Sequence, residues 1–201
     1  MKETEERPRF IRTRGIQRVW DPRVWGTIIG AAGSTVFVLA YRGELETPWT
    51  VVAVIIWAVA LLAYIILVFL TPRVFTQINR VGAKSGFIYL GSVIGMLLLI
   101  RLGTLVLENA DKTGLRPALI VVAVGLHFLP FAAAFHTPMF TPLGVIMVVL
   151  GAAGLVLGWF WDPRAAAAMA VFSGVVMLSI IAGDAAHPRA QPATAKSSQA
   201  Q

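Results

Sequence analysis

Six stretches of the chain are each apolar over a length that matches a bilayer, and nothing else in the sequence restricts its fold as strongly. About 30 Å of hydrocarbon takes roughly 20 helical residues to cross. Runs of about that length cover residues 24–41, 49–70, 87–107, 118–135, 143–161 and 165–183. Lipid offers no hydrogen bonds, so each backbone N–H and C=O in these runs needs a partner inside the protein. The runs also lack the alternation of an outer-membrane barrel strand. The expected fold is therefore an all-α integral membrane protein with six transmembrane helices. A basic cytoplasmic arm, residues 1–23, precedes the transmembrane domain, 24–183. The tail, 184–201, is rich in Pro, Ala, Ser and Gln with nothing to bury, and is expected to be disordered.

Of the 201 residues, 57% are hydrophobic and 13% charged, against about a quarter charged in soluble domains. The net charge of +7 lies at the edges of the apolar runs, so it marks a lipid surface rather than nucleic acid as the partner. With no cysteine, disulfides, thiolate metal sites and thiol nucleophiles are excluded. The opening "MKETEERPRFIRTRGIQRVWDPR" lacks the apolar core of a removable signal peptide.

Five of the runs open on a polar residue followed by proline: Asp21-Pro22, Thr47-Pro48, Arg116-Pro117, Thr141-Pro142 and Asp162-Pro163. A capping oxygen satisfies one orphan N–H of a helix start, and proline at the first helical position removes another. The third run has no such pair. Thr71-Pro72-Arg73 instead opens a short interfacial segment before Ser85 restarts the chain. Lys2, Arg7, Arg9, Arg12, Arg14, Arg18 and Arg23 in the arm, with Arg73, Arg80 and Lys84 between the second and third runs, outweigh Arg42 beside Glu44 and Glu46 after the first. This bias predicts that both termini are cytoplasmic and that the arm lies on anionic headgroups. The excess of Arg over Lys with abundant Ala, Gly and Val fits a GC-rich bacterial genome, so the expected location is a bacterial inner membrane.

The prolines at 22, 48 and 72 and at 117, 142 and 163 form two groups of three with similar spacing. Halves of three helices would sit antiparallel, giving a 3+3 inverted repeat of the kind found in secondary transporters. Bilayer thickness alone imposes a similar period on any tightly looped bundle, so both readings stand. The glycine pairs Gly26/Gly30, Gly91/Gly95 and Gly154/Gly158 allow close helix approach, which favours a compact bundle, with a homo-oligomer as a second use of the same faces.

Polar groups inside the runs are the candidate site. His127 lies about 15 Å into the fourth run, near the bilayer centre, and Pro130 on the same run frees the carbonyl of Leu126 and predicts a bend. The imidazole is either a hydrogen-bonding partner for a neighbouring helix or a group on a proton path. Haem ligation is disfavoured because His136 sits nine residues on, at the interface. Arg101 is the permanent charge well inside a run, and its side chain leans toward the membrane centre, so it needs a protein partner or an anion. Glu108 shares nearly the same face about 10 Å away. The groups "VWDPRVW" and "GWFWDPR" are interface anchors. No nucleotide loop, metal site or nucleophile–base pair is visible, so no cofactor is expected and an enzymatic role has little to rest on.

The string Gly125-Leu126-His127-Phe128-x-Pro130 resembles one found in a late helix of a loose set of uncharacterised bacterial multi-span membrane proteins. That resemblance implies a six-helix inner-membrane protein and no known activity. The sequence thus leaves two readings of function. One is a transporter of a small solute or of protons, with His127 and Arg101 lining its path. The other is a non-transporting scaffold or partner subunit that assembles through its glycine faces and basic arm.

Overall fold

The computed structural model describes residues 12–18, 22–74, 83–135, 137 and 139–186. Most of the basic arm, Asp21, residues 75–82, His136 and the tail from 187 lie outside the described residues, and with them the expectations placed there.

Six helices follow in order: α1 (Pro22–Tyr41), α2 (Thr47–Ile65, continued by a π-helical turn, Ile66–Leu70), α3 (Ala83–Asn109), α4 (Arg116–Phe135), α5 (Phe140–Phe160) and α6 (Arg164–Ala186). Each is long and apolar enough to cross a membrane, so the chain is an all-α, six-span protein. α4 continues as helix through Pro130.

Asp162 caps α6, its Oδ1 accepting the Arg164 N–H at 2.8 Å. Two other expected caps are not made. Glu46 holds the cap position of α2 without a side-chain bond; the Thr50 hydroxyl fastens that turn instead, donating to the carbonyls of Arg42 and Leu45 at 2.9 and 3.1 Å. α5 opens at Phe140, because the Phe140 N–H already bonds the Thr137 carbonyl at 3.1 Å, and Thr141 falls inside the first turn. At the other end, α6 runs to Ala186, so residues 184–186 of the expected tail are helical.

The segment after Thr71 opens with a two-residue strand, β2 (Arg73–Val74), paired antiparallel with β1 (Arg12–Thr13) in the arm. Gly15 follows in a 3-10 turn, and a Cβ there would collide with the carbonyl of Val68 in the π-helical turn. Only glycine lets the arm seat against the end of α2.

α4, α5 and α6 pack on one another; α1 and α2 lie on α6, and α3 lies on α4. An inverted repeat would pair α1–α6 with α3–α4, and both interfaces are extensive. It would also match α4–α5 to α1–α2, yet the first is the largest interface and the second is small. The core between these helices is built from Phe140, Leu143, Met147, Met177, Leu178 and Ile181, all nearly fully buried.

The closest helix approach is α4 on α5. A Cβ on Gly125 would stand 2.8 Å from the Gly144 carbonyl oxygen, one on Gly144 2.7 Å from that of Gly125, and one on Gly151 2.7 Å from the Val122 nitrogen. Backbone cannot yield at such distances, so these glycines set the interhelical spacing. Between α1 and α6 the Ser34 hydroxyl donates to the Gly174 carbonyl at 2.6 Å, fully buried.

Candidate functional site

His127 lies on the α4 face that meets α3, in a cluster of aromatic rings. Tyr89 of α3 stands 5.9 Å from the imidazole, ring centre to ring centre, with Phe128 at 5.9 Å and Phe131 at 6.3 Å. Tyr89 also meets Phe131 and Phe135 edge-on, and Phe140 of α5 closes the cluster against Phe128 and Phe131. Spacings of this kind suit the quadrupoles of aromatic rings.

The polar partner of the imidazole is Ser92, whose Oγ lies 3.0 Å from His127 Nδ1. Ser92 has one hydroxyl proton, and it is donated to the Tyr89 carbonyl at 2.8 Å. The hydroxyl oxygen is then left to accept, so Nδ1 carries the proton that His127 donates. In the neutral ring this leaves the Nε2 lone pair without a partner among the described residues. An imidazole so held can bind or release a proton at Nε2 while Nδ1 keeps α3 on α4. Sequence reasoning missed Ser92 as the partner, although it sits within "GSVIG".

Arg101 is not part of this cluster. It stands nine residues after Ser92, about two and a half helical turns, which turns it to the opposite side of α3. It is exposed and has no ion pair or hydrogen bond among the described residues. Glu108 is paired instead with Arg116 at the start of α4. The structure thus brings His127 together with Ser92 and Tyr89, Glu108 together with Arg116, and leaves Arg101 apart from both.

The glycine pairs differ in use. Cβ atoms on Gly30 and Gly154 would approach Ile181 Cδ1 and Ala118 Cβ at 2.6 and 2.9 Å; Gly158 is tighter still against Leu115, while Gly26 meets Phe140 at 3.3 Å. Around Gly91 and Gly95 nothing lies within 4 Å. Gly91 opens an outward row of exposed residues on α3: Gly91, Ile94, Leu98, Arg101, Leu105 and Glu108. These alternate by three and four residues, the a/d spacing of a helix-pairing seam.

Among the described residues no three His, Asp or Glu side chains gather as a metal site would require. No family model, curated protein or solved structure matches the chain.

Proposed function

We propose that this membrane protein is a non-transporting partner subunit, which holds another transmembrane protein through the outward seam of α3. The observation that carries the reading is Arg101: a permanent charge on an exposed face of a spanning helix, about 12 Å from the helix end, with no partner among the described residues. A charge at such depth is costly unless compensated. The bare Gly91 and Gly95 leave room for a second helix to come close. The partner is a helix with an Asp or Glu at the depth of Arg101. A second copy packed in register on this seam would set Arg101 against Arg101, so charge disfavours a symmetric homodimer there.

Photo-crosslinkers at Leu98 and Leu102 test this reading. A crosslink to one discrete protein is expected, at a helix bearing a carboxylate. Gly91→Leu and Arg101→Leu should each abolish it, and neutralising the partner's carboxylate should match the loss. Crosslinks to lipid alone, or to a second copy, would refute it.

Transport is the second reading, favoured by the unpartnered Nε2 of His127. Its test is pH-driven flux in proteoliposomes beside thermal stability for His127→Gln and His127→Ala. Flux lost in a folded glutamine variant supports a proton path, since glutamine cannot titrate near neutral pH; intact flux removes it. We place both termini in the cytoplasm of a bacterial cell, on the Arg and Lys bias. Alkaline phosphatase fused after Lys112 should then be active and after Lys84 inactive, and the reverse result would invert the topology.

A further inference from the structure

Where α1 ends and α4 and α6 begin, the bundle holds a half-open cavity of about 330 Å³, within the range of small-molecule sites, about 300–1,000 Å³. It is lined by charges of both signs. Glu44 comes from the turn that follows α1, and Arg116 and Arg164 are the first residues of α4 and α6; Ile120 and Ala167 supply apolar surface one turn deeper along the same helices.

These charges do not use one another up. Among the described residues the Glu44 carboxylate and the Arg164 guanidinium have no ion pair, with each other or with any other group. Arg116 gives one Nη to Glu108, but its Nε is buried with no acceptor. The nearby Asp162 carboxylate is engaged by the Arg164 backbone N–H. A buried donor without an acceptor costs free energy, and an arginine fork is shaped to meet carboxylate or phosphate oxygens.

We propose that this cavity binds a zwitterion carrying an ammonium and a phosphate, the ammonium on Glu44 and the phosphate between the guanidinium groups of Arg164 and Arg116. Phosphate is the better match than carboxylate because its free oxygens, three in a monoester and two in a lipid diester, sit tetrahedrally on phosphorus and can reach donors on two helices at once. The same chemistry has two sources, a free phosphoethanolamine-like solute and the headgroup of a zwitterionic lipid. The proposal is independent of the α3 seam.

The test uses the full chain in detergent, titrated with O-phosphoethanolamine, inorganic phosphate and ethanolamine by calorimetry. Beside it, native mass spectrometry compares retention of phosphatidylethanolamine with that of phosphatidylglycerol. Saturable binding of O-phosphoethanolamine is expected to identify a free solute; selective retention of phosphatidylethanolamine alone identifies the lipid. Glu44→Gln and Arg164→Gln, with unchanged thermal unfolding, should each weaken the observed binding at least tenfold. Phosphate binding as tightly as O-phosphoethanolamine would overturn the zwitterion assignment without any variant. Binding unmoved in both variants would overturn it too, as would neither saturable binding nor selective retention.

Discussion

α6 and α3 are both long apolar helices, yet 56% of the most apolar stretch of α6 is buried inside the protein and only 6% of that of α3. The difference lies in how side-chain size is distributed around each helix. α6 turns Ala166, Ala167, Ala170, Ser173 and Gly174 toward its neighbours, so several helices can close on it. α3 sends Leu90, Leu97, Leu98 and Leu102 outward and receives a neighbour closely at Gly103, against Leu119. Lipid is as apolar as leucine, so hydropathy brings a helix into the bilayer without choosing its partners. Small residues and polar contacts make that choice: within the described residues Ser92 and Gly103 of α3 meet α4, while Gly91, Gly95 and Arg101 on its outer face meet nothing.

The sharpest way to break the comparison is to fill equivalent glycines. Gly125→Leu drives a side chain into the backbone of α5 and should cost more than the ~1–3 kcal/mol typical of overpacking, read as loss of the monodisperse protein on size exclusion. Gly91→Leu should leave thermal unfolding within ~0.5 kcal/mol of the parent. Equal damage from both would show that α3 is held on two sides. Arg101→Leu should ease membrane insertion of α3 by up to ~3 kcal/mol, measured with a glycosylation reporter; no gain would mean that the guanidinium already has its anion.

Smaller effects sharpen the contrast. Ser34→Ala removes the buried α1–α6 bond and Ser92→Ala the half-exposed α3–α4 bond. Such bonds average ~0.6 kcal/mol with a ceiling near ~1.7, and Ser34 should lie toward the upper end with Ser92 below it. A reversed order in thermal unfolding would make α3 the more firmly held helix. Glu108→Gln breaks an exposed pair with Arg116 and should shift stability by ~1 kcal/mol or less, with the shift fading as salt is raised.

The six spans were legible in the sequence because hydropathy and length report one quantity, the thickness of the membrane. Helix contacts were legible only in part. "GTIIG", "GSVIG" and "GLVLG" are alike on paper, yet the first and third are packed and the second is bare, since spacing within one helix carries no information about what faces it. The tightest interface rests on Gly144 and Gly151 of α5, seven residues apart with Gly158 continuing the series. That heptad is present in the sequence, yet nothing there ranks it above the four-residue pairs. At the candidate site, the position of His127 midway along α4 followed from counting residues. Its bond to Ser92 did not, because it depends on how α3 and α4 slide past each other. The burial of Gly15 could not be foreseen either, because its contact is to a π-helical turn that local propensity does not announce.

The Ser34–Gly174 bond joins residues 140 positions apart, and it fixes an order of events during synthesis. Domains fold from the N-terminus as the chain emerges, but α1 finds its main interface only on α6, the last helix made. The strand pair between Arg12–Thr13 and Arg73–Val74 can already close while α3 is still being translated. α1 and α2 can therefore be clasped at one end, where Thr27 also meets the Tyr64 hydroxyl at 3.3 Å, before the main interface of α1 exists. The bundle is completed only with its final helix, and a ribosome that stops before α6 leaves α1 and α2 without the helix they pack on.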